Sequence, residues 1–259
     1  MIFRVATINP EELLLAYRLG IFPMAESRAA EEVLWVRPHE RGILPLEKFH
    51  VPRRLARAVR SDRYDVTVDA AFDQVIRGCA ESQPDRHETW INDPIIDVFE
   101  ALHRRGFAHS VETWHRGQLV GGLYGLSLGA AFFAESKFSR MTDASKVALV
   151  HLAARLKAGG YSLLDAQFPN PHLEQFGAVT VTEERFQSLL SQALTHTGNF
   201  YCLGPSGSAP AVGSTAGGPA GLAGADSRAD GGLTAPADGT ATAAAGAGSS
   251  VLQVITQTS

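Results

Sequence analysis

Chemistry-bearing residues interrupt two apolar runs of this chain. In "AAFFAESKFSR", from Ala130 to Arg140, a strand-like segment suddenly carries Glu135, Ser136 and Lys137. In "YSLLDAQF", from Tyr161 to Phe168, Asp165 and Gln167 do the same. Strict alternation along the first run puts Phe133 and Glu135 on one face and Phe132, Ala134 and Ser136 on the other. In the second it places Asp165 and Gln167 together, about 7 Å apart along the strand. Polar groups on an apolar strand need partners or a pocket. A carboxylate and an amide at that spacing can bracket one small reacting group, or they can form a buried hydrogen-bond network that only supports the fold.

A serine-hydrolase alternative fails on local structure. Gly125-Leu126-Ser127-Leu128-Gly129 fits the pattern of a nucleophile elbow, with Asp165 and His172 following in hydrolase order. An elbow needs a helix directly after the serine turn, and here "AAFFAES" reads as strand. A second candidate function lies in "EKFHVPRRLARAVRSDR", residues 47 to 63, which is strongly basic within a chain of formal net charge −4. If Pro52 opens a helix, Arg53, Arg57 and Arg60 fall on one face, where they can contact several phosphates or simply meet solvent. Trp90, just ahead of a helix start, can stack on an unpaired base or pack into the core.

The surrounding elements must position these groups. A helix from Pro10 to about Leu19 stops at Gly20, and "FPM" and "LWVRP" then make a compact, turn-rich unit. "YDVTV" is a strand followed by a helix over about Ala70 to Ala80. "INDPIIDVFEALHRRG" is a helix with Asn92 or Asp93 as N-cap and Ile95, Phe99 and Leu102 as its apolar face. The period then switches to two through "FAHSVETW", "LVGGLYGLSL" and "AAFFAES", which predicts consecutive antiparallel strands with a turn at "HRGQ". "TDASKVALVHLAARLKAGG" predicts a capped helix, apolar around much of its circumference and so laid on a sheet, with "YSLLDAQF" as the strand after it. The architecture is α+β. Divisions are expected at residues 1–62 for a small N-terminal domain carrying the basic helix and 63–203 for the larger domain. The Gly/Ala-rich segment 204–250 cannot bury enough surface to order itself, and "VLQVITQTS", 251–259, alternates as a short terminal strand or docking peptide.

Composition sets outer limits. With 259 residues and 45% hydrophobic content the chain can bury a real core, and Cys79 and Cys202 are too few for a disulfide framework or a zinc site. No stretch approaches the ~18 apolar residues of a membrane span, and the start has no signal-peptide pattern. A soluble, cytoplasmic protein with no membrane association is expected.

"AYRLGIFPM", "LWVRPHERGILPLEKFHVPRRLAR", "TWIND", "HSVETWHRGQLVGGLYGLSLGAAFFAESKFSR", "DASKVALVHLAARL" and "LLDAQF…HLEQFGAV" together resemble the leucyl/phenylalanyl-tRNA–protein transferases, in order and register from about Ile8 to Leu194. The resemblance implies a catalytic domain like the acyl-CoA N-acyltransferases behind a small N-terminal domain. It also implies transfer of leucine or phenylalanine, with methionine a further donor, from aminoacyl-tRNA to the α-amino group of proteins beginning with Lys or Arg, which marks them for the N-end rule protease. By the same resemblance Gln167 orients the attacking amine, Asp165 meets the acceptor's cationic end or relays a proton, and Glu135 holds the donor ammonium. Phe132, Phe133, Ala134 and Lys137 wall the donor side-chain pocket, Trp90 lies beside the 3′-terminal adenosine, and Arg53, Arg57 and Arg60 grip the acceptor stem. No metal, nucleotide or coenzyme is implied, since the ester already carries the activation energy, and a monomer is expected. The sequence departs from the family where Met24 stands for a Trp, and where Ala134 and Lys137 stand for a Gly and a Met. Lys137 is expected to carry its charge to water along the pocket wall. The rivals are an acyl-CoA-dependent N-acetyltransferase, which lacks support from any Gly-rich pyrophosphate loop, and a non-catalytic tRNA- or degron-binding adaptor.

Overall fold

The computed structural model describes residues 2–5, 8–81, 89–204 and 247–256. In chain order the elements are β1 (Ile2–Val5), α1 (Pro10–Arg18), β2 (Phe22–Met24), β3 (Val33–Val36), β4 (Glu40–Ile43), α2 (Arg53–Arg60), β5 (Asp65–Val68), α3 (Phe72–Ala80), α4 (Asp93–Arg104), β6 (Ala108–His115), β7 (Gln118–Leu128), β8 (Ala131–Ser139), α5 (Ala144–Ala158), β9 (Leu163–Asp165), α6 (Pro171–Glu174), β10 (Val179–Thr182), α7 (Glu183–Leu194) and α8 (Ala247–Thr256). A small sheet of order β1-β3-β2 forms an N-terminal unit with α1, and a seven-stranded sheet of order β10-β4-β9-β8-β7-β6-β5 forms the body. The α+β reading therefore holds, with one correction to its division. A boundary at residue 62 fails because β4 pairs with both β9 and β10 inside the large sheet. The turn-rich appearance of residues 33–43 concealed two strands, since each is only four residues long.

Local chemistry explains the elements that place the site. Asn9 and Asn92 cap α1 and α4 by accepting from the backbone N–H groups of Glu12 and Ile95. The β6–β7 hairpin closes through Arg116 and Gly117, both at positive φ, as a two-residue turn that follows the strand twist. Helix α5 carries β8 across to a parallel β9, and its buried residues lie on most sides because it is enclosed by the sheet and by other helices. Its start is not capped by a side chain: Asp143 sits in the left-handed region and bonds Lys146 instead. Cores form on both faces of the sheet. One joins α1, α3, α4 and α7 to Phe133 and Phe138, and the other joins α2, α5 and α8 to Phe132.

The terminal segment corrects a second expectation. Residues 251–256 belong to helix α8, not to a strand, and the helix begins at Ala247, inside the segment expected to be disordered; residues 205–246 lie outside the described residues. Val251, Leu252 and Ile255 recur at helical spacing and are buried against α2 and α5. The two sets that alternation picked out also satisfy a helix, and the docking surface decides between them. Asp62 accepts from the Gly248 N–H at one end of α8, and the Lys157 ammonium donates to the Ile255 carbonyl at the other, so charges of the favourable sign meet both helix ends. Val251→Asp with Ile255→Asp is expected to remove about 3 kcal/mol or more of apolar burial and to lower the thermal midpoint by at least ~5 °C. An unchanged midpoint contradicts the docked helix.

Candidate active site

Strands β8 and β9 run in parallel register only as far as Phe133↔Asp165. Beyond that pair they separate. β9 ends, while β8 continues through a bulge: Ala134 pairs with Gly125 and Ser136 with Tyr124, leaving Glu135 as the extra residue. The bulge overturns strict alternation. Phe138, which simple counting places with Phe132, packs instead into the core of Phe133. Lys137 accordingly lies beside Ala134 and Leu149, not on the face of Phe133.

A cavity of about 350 Å³ opens where the strands part. Leu44, Leu123, Ala134 and Leu149 supply apolar wall, Glu135 and Gln167 supply polar groups, and Trp90 and Lys137 also line it. Trp90 is half-buried and Lys137 exposed. The structure thus brings together Trp90, Ala134, Glu135, Lys137 and Gln167 of the residues singled out in the sequence. Phe132 and Phe133 do not line the cavity. Phe132 is fully buried and stacks on Phe200 in one core, and Phe133 meets Tyr17 edge-on at 4.8 Å in the other. Arg53, Arg57 and Arg60 stand exposed on α2, outside the cavity.

Glu135 is buried between two donors. Tyr17 Oη donates to Oε1 at 2.6 Å, and Gln167 Nε2 donates to Oε2 at 2.8 Å. Burial pushes the carboxyl up to about 8; the Tyr17 and Gln167 hydrogen bonds oppose that rise. The Tyr17 hydroxyl is raised by the same burial and by the adjoining carboxyl. Because the amide nitrogen is committed to Glu135, Gln167 presents its Oε1, which accepts no hydrogen bond among the described residues, as the acceptor available in the cavity.

Asp165 sits differently from the sequence expectation. It is fully buried, and its oxygens are taken by Arg41 Nε at 2.9 Å, Arg41 Nη2 at 2.6 Å and the Gln167 N–H at 2.9 Å. It does not line the cavity and cannot meet an acceptor's cationic end without breaking that pair. The pairing of Asp165 and Gln167 along one strand face also gives way, because Gln167 leaves the strand at φ 64° and turns its side chain toward Glu135. Tyr17 and Arg41 are site residues that sequence reasoning does not find. Tyr17 reads as part of an amphipathic stripe, and Arg41 lies in a four-residue strand, ERGI, whose composition does not mark it as buried.

The elbow reading has no support in the geometry. Ser127 lies within β7 with its hydroxyl 2.7 Å from the Tyr161 hydroxyl, and Asp165 is bound to Arg41. Among the described residues no group of His, Cys, Asp and Glu could hold a metal ion, and no helix is long and apolar enough to cross a membrane.

Comparison with known proteins agrees with the motifs. Residues 43–191 match the family described as leucyl/phenylalanyl-tRNA protein transferase, and residues 6–39 match its N-terminal domain. A leucyl/phenylalanyl-tRNA–protein transferase of Hyphomonas neptunium is 56% identical over 205 residues, covering 79% of each chain. Those of Paramagnetospirillum magneticum and Phenylobacterium zucineum are 57% and 54% identical, covering 74% and 77% of this chain and 92% and 90% of theirs. Among solved structures, L-PGS from Bacillus licheniformis is similar only loosely, at 15% identity and a TM-score of 0.38 over 66% of this chain and 54% of that one. With the family match spanning more than half of the sequence, and relatives above 50% identity along most of both chains, this chain belongs to the leucyl/phenylalanyl-tRNA–protein transferase family.

Proposed function

We propose that this chain transfers leucine or phenylalanine from its tRNA ester to the N-terminal α-amino group of a protein, with Gln167 and Glu135 at the reaction centre. The observation that carries this reading is the pairing of the two side chains inside one cavity: Gln167 Nε2 bonds the buried acid, which leaves Oε1 to accept from an amine. The amine nitrogen attacks the ester carbonyl carbon, the bond to the ribose oxygen breaks, and one proton passes from the amine to the departing hydroxyl. Such an aminolysis needs a neutral, oriented amine more than it needs a strong base. Glu135 serves the donor. Held near its own titration point by burial, it ionises when the donor's α-ammonium arrives and pairs with it.

The rest of the cavity fits the donor. Its aliphatic wall suits a leucine or phenylalanine side chain, and Trp90 offers a ring at its edge on which the terminal adenine stacks. Lys137, exposed at the rim, carries its charge toward solvent along that wall. The basic face of α2, with Arg53, Arg57 and Arg60 exposed, holds the acceptor-stem phosphates. Restriction to acceptors beginning with Lys or Arg, a role in marking proteins for the N-end rule protease, action in the cytoplasm and a monomeric state rest on the family resemblance.

Gln167→Ala is expected to lower single-turnover transfer to an Arg-starting peptide by roughly one to two orders of magnitude, while aminoacyl-tRNA binding changes little. Equal losses in both place Gln167 in the supporting network, and transfer from acetyl-CoA in place of aminoacyl-tRNA overturns the reaction. For the basic face the expectation is the reverse. Arg57→Ala with Arg60→Ala should weaken tRNA binding and reduce the slope of log K against log salt by about 0.7–0.9 for each phosphate that is no longer neutralised. A slope that stays unchanged assigns these arginines to a solvated surface.

A further inference from the structure

Arg41 is one of the most deeply buried charges in the chain, only 1% exposed, and no step of the transfer reaction calls on it directly. The guanidinium donors that bond reach two separate parts of the site's support. Nε and Nη2 hold Asp165 in a two-point pair, and Nη1 donates at 3.0 Å to the Gly20 carbonyl, in the turn that follows α1. Its planar face is enclosed by the Phe22 ring at 4.7 Å and the Phe186 ring at 4.3 Å, one from β2 and one from α7. The N-terminal unit, the sheet and α7 therefore meet at one side chain.

The consequence lies two residues beyond Asp165. Its Oδ1 accepts the Gln167 N–H, and Gln167 holds a left-handed backbone that glutamine seldom adopts. The neighbour of Arg41 grips the same turn from the other side. Gly42 donates its N–H to the Gln167 carbonyl and accepts from the Ala166 N–H, and a Cβ on Gly42 would stand 2.7 Å from the Phe168 carbonyl oxygen. Arg41 fixes the turn through a carboxylate, and Gly42 fixes it through the backbone. Without both, residues 165–168 have no reason to leave the extended conformation, and the Gln167 amide would not point at Glu135.

We propose that Arg41 is a positioning residue for the transfer step: by clamping Asp165 it sets the backbone turn that aims the Gln167 amide into the cavity, and through Gly20 and Phe22 it makes that aim depend on the docked N-terminal unit. This rests on the role assigned to Gln167 above. Lysine cannot replace arginine here, because one ammonium cannot bond both Asp165 oxygens and the Gly20 carbonyl or fill the space between two rings.

A double-mutant cycle tests it on the full-length protein, with single-turnover transfer from leucyl-tRNA to an Arg-starting peptide as readout. Arg41→Lys is expected to lower the transfer rate at saturating aminoacyl-tRNA at least tenfold, with tRNA binding within twofold of wild type. In the Gln167→Ala background the same substitution should cost less than twofold, since the group it positions is gone. An equal fold-loss in both backgrounds, or no loss in either, overturns the proposal. If Gln167→Ala alone leaves transfer unchanged, it is the assignment of Gln167 that fails. Should Arg41→Lys not fold, as judged by its thermal midpoint, Phe186→Leu gives the same cycle while keeping the guanidinium and its ion pair. A loss abolished by Gln167→Ala supports the proposal, and any other outcome overturns it.

Discussion

A carboxyl group in an apolar layer must be satisfied, and the satisfaction of Glu135 organises this molecule. Its two oxygens draw one donor from α1 and one from the turn after β9. The bulge in β8 brings the acid to where both can meet it, and the left-handed backbone of Gln167 swings the amide across. That backbone is in turn held by Asp165 and so by Arg41, giving one connected path of polar contacts from the N-terminal unit through the sheet to the cavity. A buried network of this kind is stable only when every member is paired, which makes the site rigid at the point where an amine must be oriented.

The sheet separates this path from the surfaces that would meet the nucleic acid. Glu135, Tyr17 and Arg41 belong with the N-terminal unit and α7, whereas α2, with its exposed arginines, packs with α5 and α8 in the other layer. On the function proposed for this chain, binding of the tRNA body and alignment of the reacting groups draw on different elements. Such a division allows contacts far from the chemistry to supply binding energy without disturbing the geometry of transfer. The terminal helix belongs to the layer of α2 and α5. It docks on α2 and α5 and lies outside residues 6–39 and 43–191, which match the family.

What could be read from the sequence follows from which signals are local. Helices α1 and α4 announce themselves through an Asn cap, an early proline and a periodic apolar face, and the β6–β7–β8 meander through alternation and a turn containing Gly117. Glu135 and Gln167 stand out because polar groups interrupt apolar runs. The bulge does not, since one extra residue changes no composition, and it moves Lys137 to the other face. β4 is hidden by its brevity and by partners, Asp165 and residues 179–182, more than a hundred positions away. Asp165 looks like a reacting group only because its partner, Arg41, lies 124 residues earlier. For α8 an apolar pattern too short to choose its own conformation is settled by the groove that receives it.

Glu135 is a buried acid beside the cavity, and its protonation state can be observed directly. Infrared difference spectra between the wild type and Glu135→Gln, recorded across pH, isolate the carboxyl band of this one residue. Burial favours the neutral form, so the acid band should persist through neutral pH and disappear with a midpoint near 8, well above the ordinary value of 4.5. A bound aminoacyl-adenosine, whose ammonium favours the carboxylate, should move that midpoint down. A band already lost near 4.5, and indifferent to the donor, would contradict both the burial and the role.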